Sequence, residues 1–81
     1  MGRPVYFTLD LDVLDPSVFP GTGTPEAGGV SFQELLQAVL AVCRGCRVVA
    51  CDVNELCPPF DQSGVSTATA GKIVREMLLA L

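Results

Sequence analysis

The sequence predicts an α/β fold in which two parallel strands alternate with two helices. Two short runs, residues 5–11 and 47–53, are rich in β-branched and apolar residues on both faces, as in strands buried in a parallel sheet. A stretch with the 3.6-residue periodicity of an amphipathic helix follows each run. Because parallel neighbouring strands need a crossover connection, this order predicts a right-handed βαβα unit.

The first predicted strand leads into a long loop, residues 12–29. Seven prolines and glycines interrupt this loop: Pro16, Pro20, Gly21, Gly23, Pro25, Gly28 and Gly29. No regular element is expected at that density of helix and strand breakers. A loop of this length in a compact domain is usually functional.

The first helix has a clear beginning. Ser31 and Glu34 have the spacing of a capping box, in which each side chain bonds the other residue's backbone N–H. Gly45 is predicted to end the helix. The apolar face repeats at helical spacing through Phe32, Leu35, Leu36, Val39, Leu40 and Cys43.

The second strand is followed by a shorter loop, residues 54–64, and then by a helix from about Val65 to the end of the chain. The predicted apolar face of this helix comprises Ala70, Ile73, Val74, Met77, Leu78 and Leu81.

The composition indicates that part of the apolar surface is covered by polypeptide outside this chain. The chain has 81 residues, of which 49% are hydrophobic, and chains this short bury a modest share of their surface. A two-stranded sheet also leaves edges and at least one face open. The net charge is −4 and the five basic residues are scattered, which argues against a nucleic acid or an anionic membrane surface as a partner.

The four cysteines are interpreted as reduced thiols. Cys43 and Cys46 form a C-x-x-C pair, but Cys51 and Cys57 do not form a second one, and a closed zinc site needs four ligands. Small buried thiols are therefore expected. With no leader ahead of the first strand and no apolar run of about 18 residues, the length of a membrane span, we expect a cytoplasmic chain.

Carboxylates are concentrated where the predicted strands end. Asp10, Asp12 and Asp15 lie within six positions, Asp52 lies near the end of the second predicted strand, and Glu55 lies just after it. The carboxyl ends of parallel strands share one edge of the sheet, where ligands bind. If the first strand continues through Asp12, Asp10 and Asp12 point the same way and suit a hard cation. The alternative is that they bond loop amides; Asp15, which precedes Pro16, is expected to initiate a turn.

A short resemblance points to one enzyme class. The tetrapeptide Asp10-Leu-Asp-Val is similar to the opening motif of haloacid dehalogenase-like phosphatases. In such a phosphatase Asp10 is the nucleophile and Asp12 the general acid. That site also needs a lysine, and Lys72, the only one in the chain, falls on the last helix.

A much longer resemblance covers essentially the whole chain. The stretch TLDLDVLDPSVFPGTGTPEAGG, residues 8–29, resembles the signature of the arginase/agmatinase (ureohydrolase) family at Thr8, Asp10, Asp12, Pro16, Pro20-Gly21 and Gly29. The later stretch CDVNELCPPFDQSG is similar to a second segment of the family and is most like the agmatinase form. The resemblance implies a partial three-layer αβα arginase-like fold.

The resemblance also implies site residues and a cofactor. Asp10 and Asp12 match the last pair of ligands of a binuclear Mn²⁺ centre, which activates water for attack on a guanidinium carbon and releases urea. Glu55 matches the carboxylate that holds the guanidino small-molecule substrate, with agmatine as the expected one. Thr24 lies in the loop that lines the family's substrate pocket, whereas Asp52 is expected to be a structural strand-end residue.

The lack of histidine limits what the chain can do alone. In the family the remaining metal ligands come from G-G-x-H and D-x-H-x-D segments, and a histidine also serves as the proton shuttle. This chain has no histidine. Residues 1–81 are therefore expected to be the C-terminal part of a ureohydrolase domain, inactive in isolation and from a homo-oligomeric family. The alternative is a non-catalytic remnant that binds a partner through its open sheet edge.

Overall fold

The computed structural model describes residues 3–81 and has the predicted βαβα order. Strand β1 spans Pro4–Asp10 and β2 spans Arg47–Asn54, while helix α1 spans Phe32–Gly45 and α2 spans Val65–Ala80. Two short 3-10 turns, Leu11–Val13 and Pro58–Phe60, follow the two strands. The predicted elements are confirmed, with strand limits shifted by one residue.

The two strands pair in parallel, so that both end at the same edge of the sheet. Their register runs from Pro4 opposite Arg47 to Asp10 opposite Asn54, with an irregularity between Val5 and Tyr6. Beyond the irregularity, Tyr6, Thr8 and Asp10 lie opposite Ala50, Asp52 and Asn54. Because side chains alternate along a strand, these residues occupy one face of the sheet.

Both helices pack against the other face of the sheet. Leu9 from β1, Val39 from α1, and Ile73 and Met77 from α2 belong to a single core cluster in which each is at least 93% buried. On the opposite face Tyr6 is 61% exposed. The described residues therefore form a sheet and one helical layer, which are two of the three layers of the expected fold.

The capping box of α1 is present as predicted. The backbone N–H of Glu34 donates to Ser31 Oγ at 3.1 Å, and the backbone N–H of Ser31 donates to Glu34 Oε1 at 2.9 Å. These bonds lower the pKa of the Glu34 carboxyl. The helix ends at Gly45 as predicted, but its C-cap, Cys46, has an extended backbone rather than the left-handed conformation of a glycine cap.

Only half of the apolar face predicted for α2 is buried. Ala70, Ile73 and Met77 reach the core, whereas Val74 is 38% and Leu78 64% exposed. The exposed side of α2 borders an open groove of about 230 Å³ that Cys51 and Val53 of β2 also line. This uncovered surface agrees with the expectation that other polypeptide packs here.

The first loop, which was predicted over residues 12–29 and is taken as residues 11–30 from here on, is more ordered than the sequence suggested. It starts with the turn Leu11–Val13, and its two ends are joined by a bridge between Leu14 and Val30. Leu11, Leu14 and Phe19 are no more than 1% exposed. The expectation of an irregular loop was therefore wrong at its ends, because its apolar residues bury themselves beneath the sheet edge.

The cysteines follow the prediction only in part. All four thiols are free, but Cys43 alone is buried, and burial raises its pKa. Cys46, Cys51 and Cys57 are partly exposed. No helix within residues 3–81 has the length and apolar character needed to cross a membrane.

Candidate functional site

The predicted metal-binding pair lies at the carboxyl end of β1, but not in the way the strand pattern suggested. Strand β1 ends at Asp10, and Asp12 lies in the following 3-10 turn. The condition that the strand continue through Asp12 is not met, because Leu11 turns into the core and is fully buried. Strand alternation therefore does not set the relative direction of the two carboxylates; the turn does.

The carboxylate of Asp12 is held by Thr24 from the far side of the first loop. Thr24 Oγ1 donates a hydrogen bond of 2.8 Å to Asp12 Oδ2. Thr24 and Asp12, which were predicted separately as a substrate-pocket residue and a metal ligand, are thus in direct contact. A hydroxyl that bonds one oxygen of a carboxylate fixes its orientation and leaves the other oxygen for a ligand.

Asp15 has the structural role predicted for it. Its Oδ2 accepts from the backbone N–H of Ser17 at 2.9 Å, and its Oδ1 accepts from the N–H of Gly28 at 3.0 Å. Hydrogen bonds from Ser17, and then those from the backbone of Gly28, lower the pKa of this carboxyl. Asp15 therefore closes the first loop. Both of its oxygens accept backbone N–H groups, so it does not share the metal-binding role predicted for Asp10 and Asp12.

The predicted guanidinium-binding residue, Glu55, directly follows β2 at the same edge of the sheet. Its side chain is exposed, and its backbone φ of 78° is the only positive value of a non-glycine residue within the described range 3–81. Two residues later, the backbone N–H of Cys57 donates to the carbonyl of Gly21 at 2.6 Å. The loop that carries Glu55 is thereby tied to the loop that carries Asp12 and Thr24.

Asp52 is a strand residue whose two oxygens both accept hydrogen bonds. Tyr6 Oη donates to Asp52 Oδ2 at 2.6 Å, and Asn54 Nδ2 donates to Asp52 Oδ1 at 2.6 Å. The hydrogen bond to Asp52, together with its negative charge, raises the pKa of Tyr6. The structural role expected for Asp52 fits these contacts; its partners could not be identified from the sequence because they depend on the strand register.

A second connection between the loops was missed altogether. Ser66, in the first turn of α2, is fully buried, and its Oγ accepts the backbone N–H of Gly21 at 2.8 Å. Its own backbone N–H donates to Asp61 Oδ2 at 2.8 Å. The sequence signal for this contact was Asp61, because an acidic residue shortly before a helix typically caps its first N–H groups.

The space beside Asp12 is an open cleft of about 230 Å³. Its walls are formed by Asp12 and Val13 on one side and by Glu26 to Gly29 on the other. Glu26, a further acidic residue of the first loop, was not singled out from the sequence. No three His, Cys, Asp or Glu side chains among residues 3–81 come together in a way that could hold a metal ion.

Comparison with known proteins identifies the family. The family model described as Arginase family matches residues 1–80. The chain is 51% identical over 79 residues to agmatinase of Halalkalibacterium halodurans, covering 96% of this chain and 27% of that protein. It is 42% identical over 80 residues to the human mitochondrial guanidino acid hydrolase, covering 99% of this chain and 22% of that protein.

The fold agrees with these matches. A crystal structure of a putative agmatinase from Clostridium difficile superimposes with a TM-score of 0.86 at 51% identity, covering 98% of this chain and 29% of that one. The chain thus spans between a fifth and a third of the length of the relatives it matches. The match covers the whole sheet edge that carries Asp10, Asp12 and Glu55, whereas the similarity to phosphatases is confined to four residues. The chain belongs to the arginase family.

Proposed function

We propose that this chain contributes one edge of the active site of a ureohydrolase, which hydrolyses a guanidino C–N bond to urea and an amine. The observation that carries the proposal is the common location of Asp10, Asp12 and Glu55 where two paired parallel strands end. We further propose agmatine as the substrate and putrescine as the amine, because several of the similar proteins bear the name agmatinase.

Asp10 and Asp12 are the residues that would hold Mn²⁺. Carboxylate oxygens are ligands of the kind that hard divalent cations prefer, and Asp12 is already oriented by Thr24 through Oδ2. The two side chains fit such an ion in kind but are too few to complete its coordination. When bound, the metal pair supplies Lewis acidity and a water molecule activated for attack.

Glu55 is proposed to bind the guanidinium group of the substrate. A carboxylate matches the planar guanidinium cation through two parallel hydrogen bonds. The left-handed backbone at Glu55 directs the chain out of the sheet at this point, and the bond between Cys57 and Gly21 fixes the distance between the two loops. The residues of this chain would thus orient the substrate's cationic end relative to the Asp10 and Asp12 carboxylates.

The isolated 81-residue chain is proposed to be inactive. Two carboxylates leave a Mn²⁺ ion far short of the six or so ligands that such ions usually take. The chain needs the complementary part of the fold, which would also cover the exposed face of the sheet. Incubation of the purified chain with Mn²⁺ and agmatine should release no urea. Turnover that disappears on Asp10→Asn would contradict this.

The test of the catalytic proposal places the matched segment in a complete enzyme. The segment replaces its counterpart in agmatinase of Halalkalibacterium halodurans, with which it is 51% identical. We expect the chimera to release urea from agmatine. Because the variant loses a metal ligand, Asp10→Asn should lower kcat/KM by at least about a hundredfold. Glu76→Gln, which removes a carboxylate from α2 rather than from the sheet edge, serves as the matched control. A folded Asp10→Asn chimera with the activity of the control would refute the assignment.

A further inference from the structure

The open face of the sheet carries a chain of hydrogen bonds that ends next to Glu55, the residue proposed to bind the guanidinium group. Tyr6 and Asp52 lie on neighbouring strands, and Asp52 is two residues beyond Ala50, the residue opposite Tyr6. Their bond therefore runs diagonally between the strands, and Asn54 extends the chain to the last residue of β2. All three side chains lie on the face away from the helices.

Asp52 is fully engaged in this network. One carboxylate oxygen accepts from the Tyr6 hydroxyl and the other from the Asn54 amide, both at 2.6 Å. Hydrogen bonds to an ionised acceptor are shorter and stronger than those between neutral groups. Asp52 therefore acts as a fixed point to which the side chain of Asn54 is attached.

The residue after Asn54 has an unusual backbone. Glu55 has a φ of 78°, a conformation that is unfavourable for residues with a Cβ and persists only where the surrounding structure enforces it. Neither Glu55 nor Leu56 belongs to the hydrophobic core cluster, so core packing does not hold the turn. Hydrogen bonds on either side of the turn are what remain to enforce it.

Two such anchors enclose the turn. On the strand side, Asn54 is held by Asp52. On the loop side, the backbone N–H of Cys57 is held by the carbonyl of Gly21. Between these points the chain has only Glu55 and Leu56, so a change in the orientation of Asn54 is passed directly to Glu55.

We propose that Asp52 is a positioning residue for Glu55, acting through Asn54 and steadied by Tyr6. The role of Glu55 in holding a guanidinium group rests on the proposed function; the mechanical link between Asp52 and the Glu55 turn does not. Asp52 itself needs no contact with substrate or metal. Its charge and its two acceptor oxygens keep the Glu55 turn in one conformation.

Amide hydrogen exchange of the 81-residue chain tests the mechanical link. The Cys57 amide reports the loop anchor, and amides in the middle of α1, such as that of Val39, report the fold as a whole. In Asp52→Asn, which keeps the size of the side chain but loses its charge, we expect Cys57 to exchange about tenfold faster or more while Val39 is unchanged. Tyr6→Phe should give a smaller increase, and Glu76→Gln should give none.

Tyr6 also supplies a spectroscopic check, since it is the only tyrosine and the chain has no tryptophan. The pKa of its hydroxyl, followed by ultraviolet absorbance, should lie above the ordinary tyrosine value in the parent chain. In Asp52→Asn the pKa should return toward that value. Unchanged exchange at Cys57, or an equal increase at Cys57 and Val39, would overturn the proposal. So would an ordinary Tyr6 titration in the parent chain.

The chimeric agmatinase separates this inference from the proposed function. If both hold, Asp52→Asn raises KM for agmatine about tenfold with a smaller change in kcat, whereas Asp10→Asn lowers kcat/KM by at least about a hundredfold. Failure of the proposed function is seen as full activity of Asp10→Asn. Failure of the present inference is seen as an unchanged KM in Asp52→Asn, together with unchanged exchange at Cys57.

Discussion

The two loops at the functional edge are held in place by different means. The first loop, residues 11–30, contributes Leu11, Leu14 and Phe19 to the hydrophobic core. The second loop, residues 55–64, contains no buried residue and is tied down by hydrogen bonds from Cys57 to Gly21 and from Ser66 to Asp61. Core packing, together with the hydrogen bonds of Asp15, therefore positions Asp12 and Thr24. The Glu55 turn depends on a few polar contacts without a buried residue.

The largest test of this difference compares one phenylalanine from each loop. Phe19→Ala should lower the free energy of unfolding by about 3–5 kcal/mol, because it opens a cavity at a fully buried site. Phe60→Ala, at a side chain that is 62% exposed, should change it by less than about 1 kcal/mol. Urea unfolding followed by circular dichroism measures both. Similar losses for the two variants would show that the first loop is not part of the core.

A glycine at the end of the first loop provides the next test. A Cβ at Gly29 would lie 2.6 Å from the backbone nitrogen of Asp15 and from the carbonyl oxygen of Val13. Because backbone atoms cannot move aside easily, Gly29→Ala should cost about 2–3 kcal/mol. Gly71→Ala, in the interior of α2 with no atom within 4 Å of the added Cβ, should instead stabilise by about 0.5–1 kcal/mol. Thermal unfolding of the two variants measures both effects. A Gly29→Ala variant as stable as the parent chain would contradict the close approach of these backbone atoms.

The connection between the loops is tested at Ser66. Ser66→Ala leaves the buried N–H of Gly21 without its acceptor, so we expect a loss of about 1–3 kcal/mol. Thr67→Ala is the control, because Thr67 is the next residue of α2 and its side chain is exposed. The same urea titrations apply to both variants. Equal midpoints would mean that the Gly21 N–H finds another partner.

The smallest expected effect is the pH dependence contributed by Asp61 in the second loop. Hydrogen bonds from Ser63, and then from Ser66, lower the pKa of its carboxyl from 3.8 to about 2. A carboxyl with a lowered pKa in the folded state stabilises the fold above its unfolded value. That contribution is lost as the pH falls from about 4 through 2. Asp61→Asn should make the free energy of unfolding depend less on pH between about 4 and 2. An unchanged pH dependence would show that Asp61 does not contribute to it.

Much of the fold follows from local patterns in the sequence. The capping box at Ser31 and Glu34, the apolar strands and Gly45 at the end of α1 all act over a few residues, and the elements occur where these patterns predicted them. The burial of Phe19 was not foreseen, because it depends on how a loop without periodicity folds back under the sheet. Only half of the apolar face predicted for α2 is buried. Periodicity indicates that a helix is amphipathic, but it does not show whether this chain covers the apolar face.

Residues for the candidate site could be proposed from the sequence, but the contacts between them could not. Asp10, Asp12, Glu55 and Thr24 were identified from strand ends and from the family signature, and the structure brings Thr24 to Asp12. The diagonal bond between Tyr6 and Asp52 depends on a one-residue irregularity in the strand register. No pattern within either strand encodes that irregularity, so these partners became visible only in three dimensions.

The left-handed backbone at Glu55 has a consequence for how this segment responds to selection. Glycine adopts that conformation without steric cost, so Glu55→Gly should stabilise the isolated fold by about 1 kcal/mol. Selection for stability alone would therefore tend to replace Glu55 and remove the carboxylate. A screen of position 55 that enriches glycine for stability, and glutamate for ureohydrolase activity in the chimera, would reveal a trade-off between robustness and catalysis at a single residue.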